Sequence, residues 1–301
     1  MYSPIVRIVR NQLAGIPLLR RWRDASGEPL QQYHDVSYNM GVCRHHIGAV
    51  QRLGSPAPLG QTLVEIGPGG NLGNALILIA SGARRVYCVD NYRHVDFQSK
   101  LTAFYRGLIA DILAHPERLP IADPALWDRR QAAQALAEAV TFAGDTVAFS
   151  PDRIVYLAPC EAQTMPLPDR SIDVLFSHAV LEHVKHPAAV CREFSRVLRP
   201  GGYFSHVIDL RDHFDPLGLA MLRYPAWLWH LMSSNSHGHV NRCRAVHFEQ
   251  FFNDAGATLL QSQATQMLRD VALIPAVLSK EFADLSLNQL QIIGLSVVGI
   301  R

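Results

Sequence analysis

Cysteine is scarce in this 301-residue chain, and its pattern is uninformative: Cys43, Cys88, Cys160, Cys191 and Cys243 are odd in number, scattered and never in a CxxC pair. That favours a reducing compartment over a disulfide framework or a zinc site. Long apolar runs are missing too. The stretch at Ala75–Ala80 falls far short of the ~20 residues of a membrane span, so no transmembrane helix is expected. Neither sign of charge dominates: 28 basic against 26 acidic residues leave +2, which argues against a nucleic-acid footprint over the whole molecule. Internal repeats and low-complexity tracts are absent. With 49% hydrophobic and 18% charged residues, the chain can bury one large core or two modest ones.

The imbalance is local. Met1–Arg23 holds Arg7, Arg10, Arg20, Arg21 and Arg23 without an acid, interleaved with Ile5, Val6, Ile8, Val9, Leu18 and Leu19. It lacks the apolar core and small-residue cleavage site of a secretory signal. Two readings stand: a basic amphipathic helix resting on an anionic membrane surface, or a helix packing its apolar face on the domain and broken near Pro17. The second is the expectation.

Strands are readable at Thr62–Ile66, Arg85–Val89, Ile154–Leu157, Ile172–Phe176 and Gly202–Ile208, with Thr258–Gln261 and Gln291–Gly299 as the last two. Helical patterns lie between them, the clearest at Pro187–Leu198, stopped by Arg199-Pro200-Gly201-Gly202. Alternation of this kind predicts a mostly parallel sheet covered on both faces. Two connections are too long for simple crossovers. Residues of about 93–152 read as an insertion with helices near Val95–Leu113 and Pro124–Val140, and 211–246 as a second, rich in aromatics and histidine (His213, Phe214, Tyr224, Trp227, Trp229, His230, His237, His239). Residues 1–58 read as an N-terminal helical extension and 59–301 as the main domain.

The first strand runs into Gly67-Pro68-Gly69-Gly70-Asn71-Leu72-Gly73, a glycine turn opening a helix, where backbone can approach a ligand closely. Gly73 stands four positions after Gly69, not three, so the dinucleotide fingerprint GxGxxG is not met. Glu65 precedes the turn and Asp90 ends the next strand. A carboxylate at Asp90 can accept both hydroxyls of a ribose. The order of acid, glycine turn and second acid carries more weight than the turn alone.

On these segments the chain resembles the class I S-adenosylmethionine-dependent methyltransferases, over roughly residues 60–210. Val64-Glu65-Ile66-Gly67-Pro68-Gly69-Gly70 is similar to the family's first motif, and Asp90, with Asn91 beside it, to its ribose acid. Glu161–Asp173 resembles the family's acid-Ala, Leu-Pro-Phe and Ser-Phe-Asp stretch, whose first two positions, here Glu161 and Ala162, border the adenine. Ser177-His178-Ala179-Val180-Leu181-Glu182-His183-Val184 resembles the fourth motif, beneath the reactive methyl. Leu198-Arg199-Pro200-Gly201-Gly202 matches the turn before the fifth strand. The resemblance implies a Rossmann-like seven-stranded α/β sheet flanked by helices, with S-adenosylmethionine held by Glu65, Gly67, Pro68, Gly69, Gly73, Asp90, Asn91, Glu161, Ala162, Ser177 and His178.

Departures from the pattern bear on mechanism. Glu161 stands where aspartate is usual, which keeps the carboxylate but lengthens its reach. Some relatives carry Glu-x-x-Glu-His in the fourth motif and bind a divalent metal; Ala179 holds the first of those positions. Glu182, His183 and His206 are a weak ligand set, and no metal is assigned. Methyl transfer needs an aligned nucleophile, and a base where that nucleophile must lose a proton. Histidine suits this near neutral pH, so His183, His178 and His206 are the candidate bases, His183 being equally readable as a capping or packing residue. His45 and His46 read as histidines on a solvated helix face. Tyr224–His230 reads as an acceptor wall or as core. Arg242 and Arg244 read as an anion site or as surface ion pairs.

The function expected is O-methylation of a hydroxyl on a small molecule or saccharide. Asn-Pro-Pro-Tyr is replaced by Ser177-His178-Ala179-Val180, which argues against nucleic acid. The alternatives are a non-catalytic cofactor-binding or membrane-associated scaffold and an NAD-dependent oxidoreductase, the latter disfavoured by the spacing before Gly73. The location expected is cytoplasmic, with residues 1–23 as the candidate contact to the inner face of the membrane; oligomeric state is not legible.

Overall fold

Every residue of the first strand, β1 (Thr62–Ile66), is buried, as a strand covered on both faces must be. The computed structural model describes residues 3–16, 35–95, 99–121, 123–215, 218–235 and 239–301. Pro17, Leu18, Leu19, Arg20, Arg21, Arg23, Tyr33 and His237 lie outside the described residues. Around β1 the chain lays down β2 (Arg85–Val89) and β5 (Ile154–Leu157) on one side, then β6 (Ile172–His178), β7 (Leu198–Asp209), β9 (Ile292–Ile300) and β8 (Thr258–Met267) on the other. The sheet order is β5-β2-β1-β6-β7-β9-β8, with β9 antiparallel to both its neighbours and the other pairs parallel. This is a Rossmann-like, mostly parallel α/β sheet. The order reverses between β1 and β6, and ligands of such sheets bind at the carboxyl ends beside that switch.

Helices cover both faces. On one lie α2 (Val36–Arg52), α3 (Gly73–Ala80), α4 (Ser99–Ala114) and α5 (Arg129–Ala139), packed with Leu63, Val86 and Val174. On the other, α6 (Pro187–Val197) and α8 (Ala245–Asp254) pack with Val64, Leu175 and Phe204. Alternate residues of each strand thus feed opposite layers. Within residues 93–152 the second helix starts only at Arg129, where Asp128 caps it by accepting from the Gln131 amide at 2.8 Å. A hairpin of β3 (Val140–Ala143) and β4 (Thr146–Phe149) follows, which the sequence pattern did not suggest.

A third apolar cluster sits beyond the sheet edge. Leu219, Leu222, Trp229 and Met232 from the second insertion meet Leu268, Ile274, Phe282 and Leu290, which lie between β8 and β9. Here α7 (Ala226–Ser233) places Trp229 in the core, its Nε1 donating to the Val240 carbonyl at 2.9 Å. Trp227, by contrast, is 65% exposed. Neither arginine of the Arg242–Arg244 segment reaches solvent. Arg242 donates to the Met221 carbonyl and to Glu281, 2.7 Å away, while Arg244, wholly buried, donates to the Leu210, Leu290 and Ile292 carbonyls. Anion site and surface ion pair both give way to an internal tie.

The N-terminal helix α1 (Pro4–Ala14) docks on α7, but its buried residues are polar: Arg7 donates to the Phe214 carbonyl at 3.2 Å, and Asn11 to the Leu231 carbonyl at 2.9 Å. Half-buried Ile8 packs against the third apolar cluster, whereas Ile5, Val9 and Leu13, with Ile16 just beyond the helix, are exposed, so the expected apolar packing holds for Ile8 and not for these.

Candidate active site

The turn after β1 needs glycine at two places for different reasons. Gly67 and Gly69 have φ of +70° and +71°, a region in which a side chain is strained. A Cβ on Gly67 would overlap Val180, whereas one on Gly69 would meet no atom of the described residues within 4 Å beyond its chain neighbours. The first glycine lets the β6 turn pack down; the second leaves a bare backbone surface open to a ligand. Gly73 begins α3 under an Asn71 side chain that accepts from its amide at 2.7 Å. Asn39 of α2 bridges Asn71 and Asn74 at 3.3 and 2.9 Å, so the N-terminal extension helps to shape the turn.

Glu65 lies below the turn and not in the cleft. It is 4% exposed, accepts from Asn74 at 2.6 Å and faces Cys88. Burial raises its carboxyl to about 7, against the lowering effect of Asn74. Asp90, at the carboxyl end of β2, accepts from the Tyr92 amide at 3.0 Å. Burial raises its pKa, opposed first by that amide and also by the amides of Gly69 and Asn91. It therefore sits beside the glycine turn. Asn91 is exposed and Pro68 half-buried. Beyond β5 an open hollow of about 520 Å³ is lined by Tyr156, Leu157, Ala158, Cys160, Glu161 and Thr164. Glu161 is exposed there and accepts from Gln163 at 2.7 Å, with half-buried Ala162 next in the chain.

At the end of β6 the chain turns sharply through Ala179, with φ of +55°. Such a value is uncommon for a residue with a Cβ. It drives Val180 against Gly67 and leaves His178 at the sheet edge. Behind His178 stands His46, wholly buried: its Nε2 is 3.1 Å from His178 Nδ1, and its Nδ1 is 2.8 Å from Ser205 Oγ on β7. Burial lowers His178 to about 4, with His45 adding to the effect, and lowers His46 well below the usual histidine range. Both rings are neutral near pH 7. The solvated-face reading therefore holds only for exposed His45. A signal existed: Asn39, Cys43, His46 and Val50, spaced four, three and four apart, form one buried face of α2.

His206 does not join this edge. It is wholly buried, stacked on Phe194 and Phe252 with centroids 5.2 and 5.4 Å away, and its Nδ1 is 2.7 Å from Ser177 Oγ. Burial lowers it to about 3. The structure thus removes both His206 and Ser177, itself wholly buried, from contact with solvent. The strand's alternation explains it, because His206 shares the face of Phe204 and Ile208.

His183 does lie at the edge. Its Nδ1–H donates to the His239 carbonyl at 2.7 Å, which leaves Nε2 as the acceptor. Burial lowers its pKa against that hydrogen bond. Glu182 beside it is 2% exposed, and neither carboxylate oxygen has a well-formed hydrogen bond among the described residues. Burial raises it to about 8, although the Glu182 and Asp209 amides lie near enough to offset part of the effect. His213, its ring centroid 5.0 Å from that of His183, has Nε2 3.4 Å from Asp209 Oδ2. Burial opposes ionisation of Asp209, but hydrogen bonds from Arg211 and His213 overcome it and hold the carboxyl below its usual range.

Comparison with known proteins bears on the later segments, from Glu161 to His206, and not on the glycine turn or Asp90. Residues 130–206 match a family model described as a methyltransferase domain. A probable S-adenosylmethionine-dependent methyltransferase of Mycolicibacterium smegmatis is 44% identical over 52 residues, 17% of this chain; the match spans about a fifth (20%) of that relative's length. Two solved structures are similar. An S-adenosylmethionine-dependent methyltransferase from Mesorhizobium loti is 16% identical, with 84% of this chain and 96% of that one covered at a TM-score of 0.44. Geranyl diphosphate C-methyltransferase from Streptomyces coelicolor is 14% identical, with 88% and 79% covered at a TM-score of 0.46. The fold is carried by the strand order itself. In its motif segments and in its family match, the chain is similar to the class I S-adenosylmethionine-dependent methyltransferases.

Proposed function

We propose that this chain is an S-adenosylmethionine-dependent methyltransferase acting on a hydroxyl of a small molecule or saccharide. The observation that carries the reading is the pairing of Asp90 with the Gly67–Gly69 turn: a nearly buried carboxylate beside a backbone surface that no side chain covers. A nucleoside fits this pair, its ribose hydroxyls donating to Asp90 and its adenine reaching the hollow at Glu161 and Ala162. When bound there, the cofactor would supply an electrophilic sulfonium methyl, and an acceptor hydroxyl that takes it would have to give up its proton.

The chain's own work is to align the acceptor, exclude water and take that proton. His178 is suited to the last task. When His46 Nδ1–H donates to Ser205 Oγ, and His178 Nδ1–H donates to His46 Nε2, His178 Nε2 is left as an acceptor. The hydrogen-bond chain admits that tautomer, because Ser205 Oγ can accept as well as donate, and it requires a neutral His46, which burial favours. The histidines at this edge support an oxygen acceptor, and the second insertion reaches the edge through His213 and His239, both in contact with His183.

Titration of the purified chain with S-adenosylmethionine, S-adenosylhomocysteine and NAD tests the reading. Micromolar binding of the first two is expected; binding of NAD alone would replace it with the oxidoreductase alternative. Asp90→Ala should weaken S-adenosylmethionine by about 2–3 kcal/mol, or roughly 30- to 140-fold, through loss of two charge-assisted hydrogen bonds. An unchanged dissociation constant would defeat the proposed pose.

The outward apolar stripe of α1 favours one addition, peripheral contact with an anionic membrane. Ile5 is 73% exposed and Val9 52%, and Trp227 of α7, the helix on which α1 docks, is exposed as well; such a stripe with basic neighbours is the pattern of an interfacial helix. No helix among the described residues is long and apolar enough to cross a membrane. The full chain should float with vesicles containing phosphatidylserine, and a variant with Ile5→Glu and Val9→Glu should not. Equal flotation of the two would remove this part of the proposal.

A further inference from the structure

The turn after β6 and the turn after β7 bring three metal-ligating side chains together outside the glycine-turn site. One atom each of Glu182, His183 and His213 lie within 4.8 Å of one another. His183 Nε2 is 4.0 Å from Glu182 Oε1. A shared ion with ligand bonds of about 2.1 Å needs tetrahedral neighbours about 3.4 Å apart, so closure requires only side-chain rotation of about an ångström. Three features separate this group from an ordinary surface cluster. Glu182 is buried, and among the described residues neither of its oxygens has a well-formed hydrogen bond, only the neighbouring Glu182 and Asp209 amides, which is costly unless something fills the space between it and the two rings.

The two histidines are also held from behind. His183 Nδ1–H is fixed on the His239 carbonyl, and the Asp209 carboxylate, anchored by Arg211, faces the His213 ring. Carbonyl and carboxylate partners behind ring nitrogens are the usual outer support of metal-bound imidazoles. Finally, the turn presenting His213 is itself rigid, since buried Asp212 accepts from the amides of Phe214, Asp215 and Met221.

We propose that Glu182, His183 and His213 bind one divalent transition-metal ion of the zinc class, with an open position for water or an acceptor oxygen. Two imidazoles and a carboxylate suit zinc, and three protein ligands leave the fourth site free. His206, the third ligand suggested by the sequence, is replaced by His213, because His206 lies stacked in the core. Metal binding does not depend on the cofactor reading, so each can fail alone.

The test is titration of the chelator-treated, desalted full chain with Zn²⁺ by calorimetry, and with Co²⁺ by visible absorption, which reports imidazole coordination directly. One equivalent is expected. Glu182→Gln and His213→Ala should each weaken Zn²⁺ by roughly a hundredfold or more, beyond the loss typical of an outer partner, and should abolish the cobalt bands. His115→Ala, at an exposed site, should change neither. Glu182→Gln keeps the shape of the side chain without adding a charge to the buried site, and His213 is exposed, so both variants should keep the thermal midpoint of the metal-free wild type; added Zn²⁺ should raise the midpoint of the wild type only. Absence of saturable uptake by the wild type would overturn the proposal, as would one-equivalent binding that survives in either folded variant.

Discussion

Arg244→Leu should lower the unfolding free energy by about 3–5 kcal/mol, the summed cost of leaving three buried carbonyl acceptors without a donor. Its guanidinium donates to three carbonyls, those of Leu210, Leu290 and Ile292. Leucine fills much of the volume and leaves all three acceptors without their donor. Those carbonyls belong to the end of β7, to α9 (Leu287–Gln291) and to the start of β9, so the loss strikes where the capping cluster joins the sheet. Lysine keeps the charge without the planar fork, and Arg244→Lys should recover only part of the loss. Urea titration of the three chains measures this. A cost below about 1 kcal/mol for the leucine variant would show that the carbonyls find other donors.

His178→Ala should reduce turnover by roughly 10²- to 10⁴-fold, the usual contribution of a positioned base, while S-adenosylmethionine affinity stays close to wild type. The pH profile gives the sign. Burial lowers His178 to about 4, so the base is unprotonated across neutral pH and wild-type kcat should fall only as pH drops toward 4. In His178→Ala that acidic limb should vanish together with the activity. His46→Phe preserves a buried ring but removes the hydrogen bond, so it should lower kcat more than it changes KM, as expected of a positioning residue. If His178→Ala retains wild-type kcat, the proton leaves by another route, and His183, with its acceptor Nε2 at the same edge, is next to be tested.

The parts of this protein legible in its sequence are those fixed by local chemistry. Strand β1 announces itself by Thr62–Ile66, and the turn after it by glycines whose positive φ no other residue adopts cheaply. Asp90 is legible because it ends a β-rich run. The parts that were not legible depend on which face of an element is covered. Nothing local shows that α1 turns Arg7 and Asn11 inward, since an amphipathic helix has two faces and the usual choice is the apolar one. His46 could have been found from the stripe Asn39, Cys43, His46 and Val50, and His206 from its place between Phe204 and Ile208. Arg242 and Arg244 carried no such sign. Their partners are main-chain carbonyls of segments far along the chain, and carbonyls have no sequence signature.

Strand β7 carries a constraint of a different kind. Consecutive residues Ser205 and His206 serve opposite layers, the hydroxyl abutting His46 and the imidazole stacking among Phe194, Phe204 and Phe252. β7 is clamped by β6 on one side and β9 on the other, Ser205 standing opposite Phe176 and Val298. Because side chains alternate with a period of two, inserting or deleting a single residue before Ser205 would exchange the two layers. A histidine would be pushed toward His46 and a serine left among phenylalanines. The spacing between Gly202 and Ser205 is therefore less tolerant of change than the identity of either residue, and the length of this strand's opening, as much as its composition, specifies the hydrogen-bond chain that ends at the cleft.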